Sequence, residues 1–275
     1  MTRSFFFVWV ASVSLAALCV QLLLAIEHRK FEIYARDIGS TDTSEILFIG
    51  SSLTQNILPS AETPYSMLGD GRSAAIRIVG NISERMSNAL LANAIEAGTE
   101  TVFLEANAYF HDLVALTEPA MLGRLTSVSR KTSESLKRAV SFRSKFGPVG
   151  EIRNDGDEVL DCRQLQSGDY YRMIKLAPDN PDRLHALLAH ARDLGVDVYF
   201  FATPRPACIV NRMGTDEYSD LLAHVDRMAA FYGVPIWRPA GAWPDEYFRD
   251  GHAHANIRGR LRFQQELSHW YRARP

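Results

Sequence analysis

From Phe5 to Ile26 no residue carries a charge, and nothing else in this chain limits its fold so sharply. At about 1.5 Å of rise per residue, such a run reaches across a hydrocarbon layer of roughly 30 Å. Inside that layer a lone segment satisfies its own backbone only as a helix. The expected element is an uncleaved transmembrane anchor over residues 1–27. A cleaved signal is the rival reading, but its apolar core is shorter, about 7–15 residues, and it ends in a small-x-small site. Leu22-Leu23-Leu24-Ala25-Ile26-Glu27 supplies no such site. Arg3 lies before the run and Arg29, Lys30 and Arg36 lie after it, so the charge rule does not orient the span. A short tail, one span and a large following domain is the usual build of an exported anchor. On that build the protein sits in the cytoplasmic (inner) membrane as a single-pass protein, with its domain on the periplasmic or extracellular side.

Residues 28–44 read as a polar connector and 45–275 as one domain. The domain draws on a chain that is 47% hydrophobic and 23% charged, enough apolar material for a substantial core. Lys and Arg total 30 against 32 Asp and Glu. That balance lacks the basic footprint needed to neutralise phosphates, so no nucleic-acid partner is expected.

Within the domain, apolar runs alternate with helical periodicity. Glu45 to Gly50, Ala74 to Gly80, Thr101 to Ala106, Val196 to Thr203 and Val234 to Arg238 are short apolar runs, the mark of strands buried on both faces. Between them Ser83 to Gly98, Pro181 to Leu194 and Asp216 to Tyr232 carry helical spacing, and a last helix follows Gly259. This grammar predicts an α/β/α three-layer sandwich around a central parallel sheet, with its working residues in loops at the carboxyl ends of the strands. An insertion over about 109–180 interrupts it, with a helix expected from Pro119 to Lys145. That helix carries Arg124, Arg130, Lys131, Lys137, Arg138, Arg143 and Lys145 against Glu134. Its basic face suits anionic lipid or acidic polysaccharide, or is simply solvated.

Two places in the chain carry residues suited to nucleophilic catalysis. Gly50-Ser51-Ser52-Leu53-Thr54 follows the first strand, where glycine permits a tight bend and a hydroxyl meets the start of a helix. Near the other end, Asp250-Gly251-His252-Ala253-His254-Ala255-Asn256 precedes Gly259 and the last helix. A nucleotide-binding reading of the first turn finds neither a G-x-G-x-x-G nor a P-loop lysine.

Taken with Gly80 after the second strand and Asn107 after the third, these residues resemble the SGNH (GDSL-like) hydrolases, over roughly residues 45 to 270 without the insertion. That family shows a G-x-S turn after the first strand, a glycine after the second, an asparagine after the third and a D-x-x-H motif before the last helix. The resemblance implies a flavodoxin-like strand order, Ser52 as nucleophile, His254 as general base and Asp250 as the acid that orients it. It also implies an oxyanion hole from the backbone N–H of Ser52 and Gly80 and the side-chain amide of Asn107. Two departures stand out. Glu105 occupies the position where the family has glycine, and Asp250 lies four residues before His254 instead of three, with His252 between them. Alignment on Asn256 and Gly259 selects His254.

These residue types suit acyl transfer. Serine is a poor nucleophile until an imidazole within hydrogen-bond reach takes its proton, and a carboxylate on the other ring nitrogen fixes the tautomer. The oxyanion then needs donors already in place. The expected activity is that of a serine esterase or O-acyltransferase working through an acyl-serine, on acyl esters, acetyl above all, of a cell-envelope or extracellular carbohydrate. The alternative is a catalytically inactive glycan-binding or scaffold protein of the same fold. His111, Asp112 and Arg205 are further candidates for the pocket. No cofactor is implied, and His252-Ala253-His254 alone lacks the ligands a metal needs. Cys19 falls in the apolar run, leaving Cys162 and Cys208 as either a disulfide or two separate buried thiols.

Overall fold

The computed structural model describes residues 3–41, 45–58, 68, 72, 74–78, 82–115, 158–165 and 171–274. In chain order these form α1 (Arg3–Thr41), β1 (Ile46–Gly50), α2 (Ser52–Ile57), β2 (Ala74–Ile78), α3 (Glu84–Glu96), β3 (Thr101–Glu105), β4 (His111–Ala115) and β5 (Tyr171–Lys175). They continue with α4 (Pro181–Asp193), β6 (Asp197–Phe201), α5 (Ala207–Met213), α6 (Thr215–Tyr232), β7 (Ile236–Trp237) and α7 (Ile257–Arg272).

The five-stranded sheet runs β2-β1-β3-β6-β7 and every pairing in it is parallel. Counted along the chain within that sheet, the order is 2-1-3-4-5, that of a doubly wound sheet. Side chains of a strand alternate between faces, so each strand feeds two cores. Leu47, Ile49, Val102, Leu104 and Phe200 pack with Leu90 and Leu91 of α3, Leu184 of α4 and Val225 of α6. Ile46, Phe48, Phe103 and Phe201 face the other way, against Leu53 and Ile57 of α2 and Phe263 and Leu267 of α7. All these side chains are buried. Apolar burial on both faces is why these strands read as continuous hydrophobic runs instead of alternating ones.

Helix boundaries follow local chemistry. Ser83 caps α3 by accepting from the Met86 amide, and Asn180 with Pro181 opens α4. Asn256 caps α7 by accepting from the Gly259 amide at 3.1 Å.

Three features differ from expectation. The segment read as a connector over 28–44 is helical through Thr41, as the continuation of α1. Its polar residues do not end the helix because Phe31, 2% exposed, is buried in the core that α3 also lines. At the ends of the expected insertion, β4 and β5 pair antiparallel as a separate two-stranded sheet, His111 opposite Lys175. The short helix α5 was not foreseen either. The helix expected from Pro119 to Lys145 lies outside the described residues.

Cys162 and Cys208 form a disulfide, with an S–S distance of 2.01 Å and 46 residues between them in sequence. It fastens the segment 158–165 to α5. The same segment is held by Leu160, whose amide donates to the Phe248 carbonyl, and by the Asn256 side chain, which donates to the Glu158 carbonyl. Trp9–Glu32, within α1, is long and apolar enough to cross a membrane.

Candidate active site

The turn after β1 is built around one carboxylate. Ser51 caps α2, its hydroxyl accepting from the Leu53 amide at 3.1 Å. Glu105, the last residue of β3 and 0% exposed, receives three donors from this turn. The Ser51 amide donates to its Oε2 at 2.6 Å, the Ser51 hydroxyl to its Oε1 at 2.9 Å, and the Thr54 hydroxyl to its Oε2 at 2.5 Å. Gly50 is required by this closeness: a Cβ there would lie 1.8 Å from Thr54 Oγ1 and 2.5 Å from Glu105 Oε2. Glu105 is therefore no mere departure from a glycine; it is the post to which the serine turn is tied. Sequence reasoning missed that role, and the available signal was a charge closing an otherwise apolar strand.

With Ser51 committed inward, Ser52 is the exposed residue of the pair, at the first position of α2. Among the described residues its hydroxyl has no hydrogen-bond partner. Asn56, one turn further on, donates to the Ser52 carbonyl at 2.6 Å. Its own side-chain oxygen accepts from Arg249 at 2.6 Å and its carbonyl from Arg260 at 3.2 Å. Those two arginines flank the segment that carries the histidine, so the serine turn and the histidine loop are laced together.

In that loop Asp250 and His254 form a dyad. His254 Nδ1 lies 2.7 Å from Asp250 Oδ2, while Oδ1 accepts from the amides of His252 at 3.0 Å and His254 at 3.2 Å. The four-residue spacing is absorbed by Ala253, whose φ of 67° places the additional residue in the left-handed region. Burial alone would raise the Asp250 pKa. The hydrogen bonds and charge of His254, with the charge of His252, outweigh burial and hold the carboxyl below its ordinary value. Contact with Nδ1 leaves Nε2 of His254 as the nitrogen available to a hydroxyl. His252 is exposed and touches Asp250 through its backbone. Behind the loop, Gly259 packs so closely on the Tyr247 carbonyl that a Cβ would sit 2.2 Å from it.

The structure joins Asp250 to His254 and brings their loop against α2. Ser52 and His254 are not hydrogen-bonded to each other. Asn107 stands in the single turn of 3-10 helix after β3, at the same edge of the sheet, and its Oδ1 is buried with no partner among the described residues. Gly80 lies outside the described residues.

The remaining candidates sit deeper. His111 is buried, and its enclosure, with Arg205 and His224 nearby, pushes its pKa down to about 3. A ring that weakly basic is poorly suited to take a proton near neutral pH. Arg205 is 4% exposed, and its Nε and Nη2 lack partners among the described residues, as do the hydroxyls of Thr203 and Tyr218. Burial lowers the Arg205 pKa, with Tyr218 and Glu105 opposing, but guanidinium is basic enough to stay charged. Arg205 is thus a buried cation close enough to Glu105 to feel its charge. Asp112 is half-buried in β4.

Comparison with protein-family models and with curated proteins finds no match to this sequence.

Proposed function

We propose that the protein is a membrane-tethered serine esterase or O-acyltransferase, with Ser52 as nucleophile, His254 as general base and Asp250 as the group that orients His254. The observation that carries this reading is the Asp250–His254 dyad at 2.7 Å, held in a loop stitched through Arg249 and Asn56 to the helix that begins at Ser52. In this mechanism His254 Nε2 takes the Ser52 proton as the oxygen attacks an ester carbonyl. Asp250 stabilises the imidazolium, which then protonates the leaving alkoxide. Asn107 and the backbone amides at Ser52 and Gly80 donate to the oxyanion. The acyl group passes from Ser52 to water or to an acceptor hydroxyl by the same steps in reverse.

The disulfide supports a domain facing an oxidising compartment, since such bonds are rare where thiols are kept reduced. An exported, tethered acyl-serine enzyme would meet O-acylated, above all O-acetylated, carbohydrate of the envelope, and that is the substrate class we assign. The test is turnover of p-nitrophenyl acetate by the full-length protein in detergent. Ser52→Ala and His254→Ala are each expected to lose activity by about 10^3-fold or more. Equal turnover by Ser52→Ala would discard the assigned nucleophile, and no turnover by the parent protein would favour a binding or scaffold role.

A further inference from the structure

A cleft of about 370 Å³ opens where α1 leaves its apolar stretch. One helical stripe of α1, Leu24, His28, Phe31 and Glu32, forms one wall. The first turns of α3 (Ser83, Arg85, Met86 and Ala89), with Arg183 of α4, form the other. Both arginines are exposed, and among the described residues neither guanidinium meets an ion-pairing or hydrogen-bonding partner. The carboxylate of the cleft, Glu32, is engaged by His28 Nε2 at 3.1 Å. Nearby Glu84 is turned inward, where it accepts from the backbone amides of Asp179 and Asn180. Two free cations thus stand over a wall that is part apolar, from Leu24 and Phe31, and part polar, from His28 and Glu32, along a membrane-length helix.

The chain path fixes which end of the domain this is. Helix α3 starts beyond the carboxyl end of β2, so its first turns lie at the carboxyl edge of the sheet, the edge that carries Ser52 and Asn107. From Leu24 to Thr41, α1 descends by about 25 Å, and a short link then enters β1 at Ile46, at the amino edge. The apolar stretch before Leu24 therefore leaves the domain beside its catalytic edge.

We propose that this cleft seats the phosphate of an anionic phospholipid, so that the domain rests on its own membrane with the carboxyl edge of the sheet turned toward the bilayer. Arg85 and Arg183 take the phosphate while Leu24, Met86 and Ala89 meet the first carbons of the lipid. A substrate or acyl donor of the site is then one presented at the membrane surface. The proposal rests on reading α1 as a membrane span.

The test uses the full-length protein. Native mass spectrometry from detergent compares phosphatidylglycerol, phosphatidylcholine and inorganic phosphate as ligands. Phosphatidylglycerol is expected to bind on the order of tenfold more tightly than phosphatidylcholine. That preference should fall to within about twofold in Arg85→Ala/Arg183→Ala and survive in Arg85→Lys/Arg183→Lys. In nanodiscs with a headgroup quencher, a fluorophore on Glu217→Cys, in the first turn of α6 at the carboxyl edge, should be quenched, and one on Asp193→Cys, at the far edge, should not. A Cys19→Ser background prevents stray labelling. Equal binding of the two lipids, equally tight binding of inorganic phosphate, or the opposite quenching order would overturn the proposal while leaving the span intact. Release of the unaltered protein by alkaline carbonate would remove the span and the proposal together.

Discussion

Replacing Glu105 by Gln changes almost no volume but reverses one hydrogen-bonding face of a fully enclosed group. An ionised carboxylate only accepts, and here it accepts three times. With the amide oxygen kept toward the Ser51 amide and Thr54, two bonds survive without their charge assistance. The new NH2 then faces the Ser51 hydroxyl, which must turn from donor to acceptor while already accepting from Leu53. Bonds to charged groups contribute about 1.5–3 kcal/mol against about 0.5–1.5 for neutral ones. Losing that difference on two bonds and compromising a third costs about 2–4 kcal/mol. For a domain of this size each kcal/mol moves the midpoint by about 2–4 °C, so Glu105→Gln should melt about 5–15 °C below the parent. Thermal unfolding of the full-length protein in detergent, followed by fluorescence of buried Trp237 and Trp243, measures it. Glu105→Ala, which leaves three donors without an acceptor at about 1–3 kcal/mol each, should approach the total stability of about 5–15 kcal/mol and fold poorly. A Glu105→Gln protein melting within about 1 °C of the parent would refute the view that this carboxylate ties down the serine turn.

Other expectations follow from the dyad and the disulfide. Asp250→Asn should leave the fold intact and lower the turnover rate by about 10^3–10^4-fold, because the amide stabilises the wrong tautomer of His254; steady-state kinetics check it. The folded-state pKa of Asp250 is depressed, so its contribution to stability is complete above about pH 4 and is lost as the pH falls through the lowered native value. Melting curves of parent and Asp250→Asn should therefore converge below pH 4 and differ above it. Removing the Cys162–Cys208 bond, which closes 46 residues of sequence, should cost about 4 kcal/mol by chain entropy. Melting with and without reductant, in a Cys19→Ser background, reads that loss.

The parallel sheet was legible because strands such as Ile46–Gly50 and Thr101–Glu105 are buried on both faces and so carry unbroken apolar runs. The helices at 84–96, 181–193 and 215–232 were legible from their periodicity, and the histidine loop from its residue types. Partnerships across the chain were not. Glu105 meets Ser51 at a separation of 54 residues, and no local period reports such a contact. The pairing of β4 with β5 is hidden in the same way, as is the meeting of Cys162 and Cys208. Polar residues after Ile26 suggested the end of α1, yet one buried side chain, Phe31, carries the helix along α3. The spacing of Asp250 and His254 looked out of step only because a linear count does not register the positive φ of Ala253.

Ser52, freed from the cluster that holds Ser51, is the proposed nucleophile, and His254 the group proposed to activate it. The most direct measurement is to treat the full-length protein with a fluorophosphonate and locate the adduct by peptide mass spectrometry. A single phosphonylated site is expected at Ser52, lost in Ser52→Ala and strongly slowed in His254→Ala. An adduct on Ser51 or on any other residue, or one that forms at the same rate without the His254 imidazole, would contradict it.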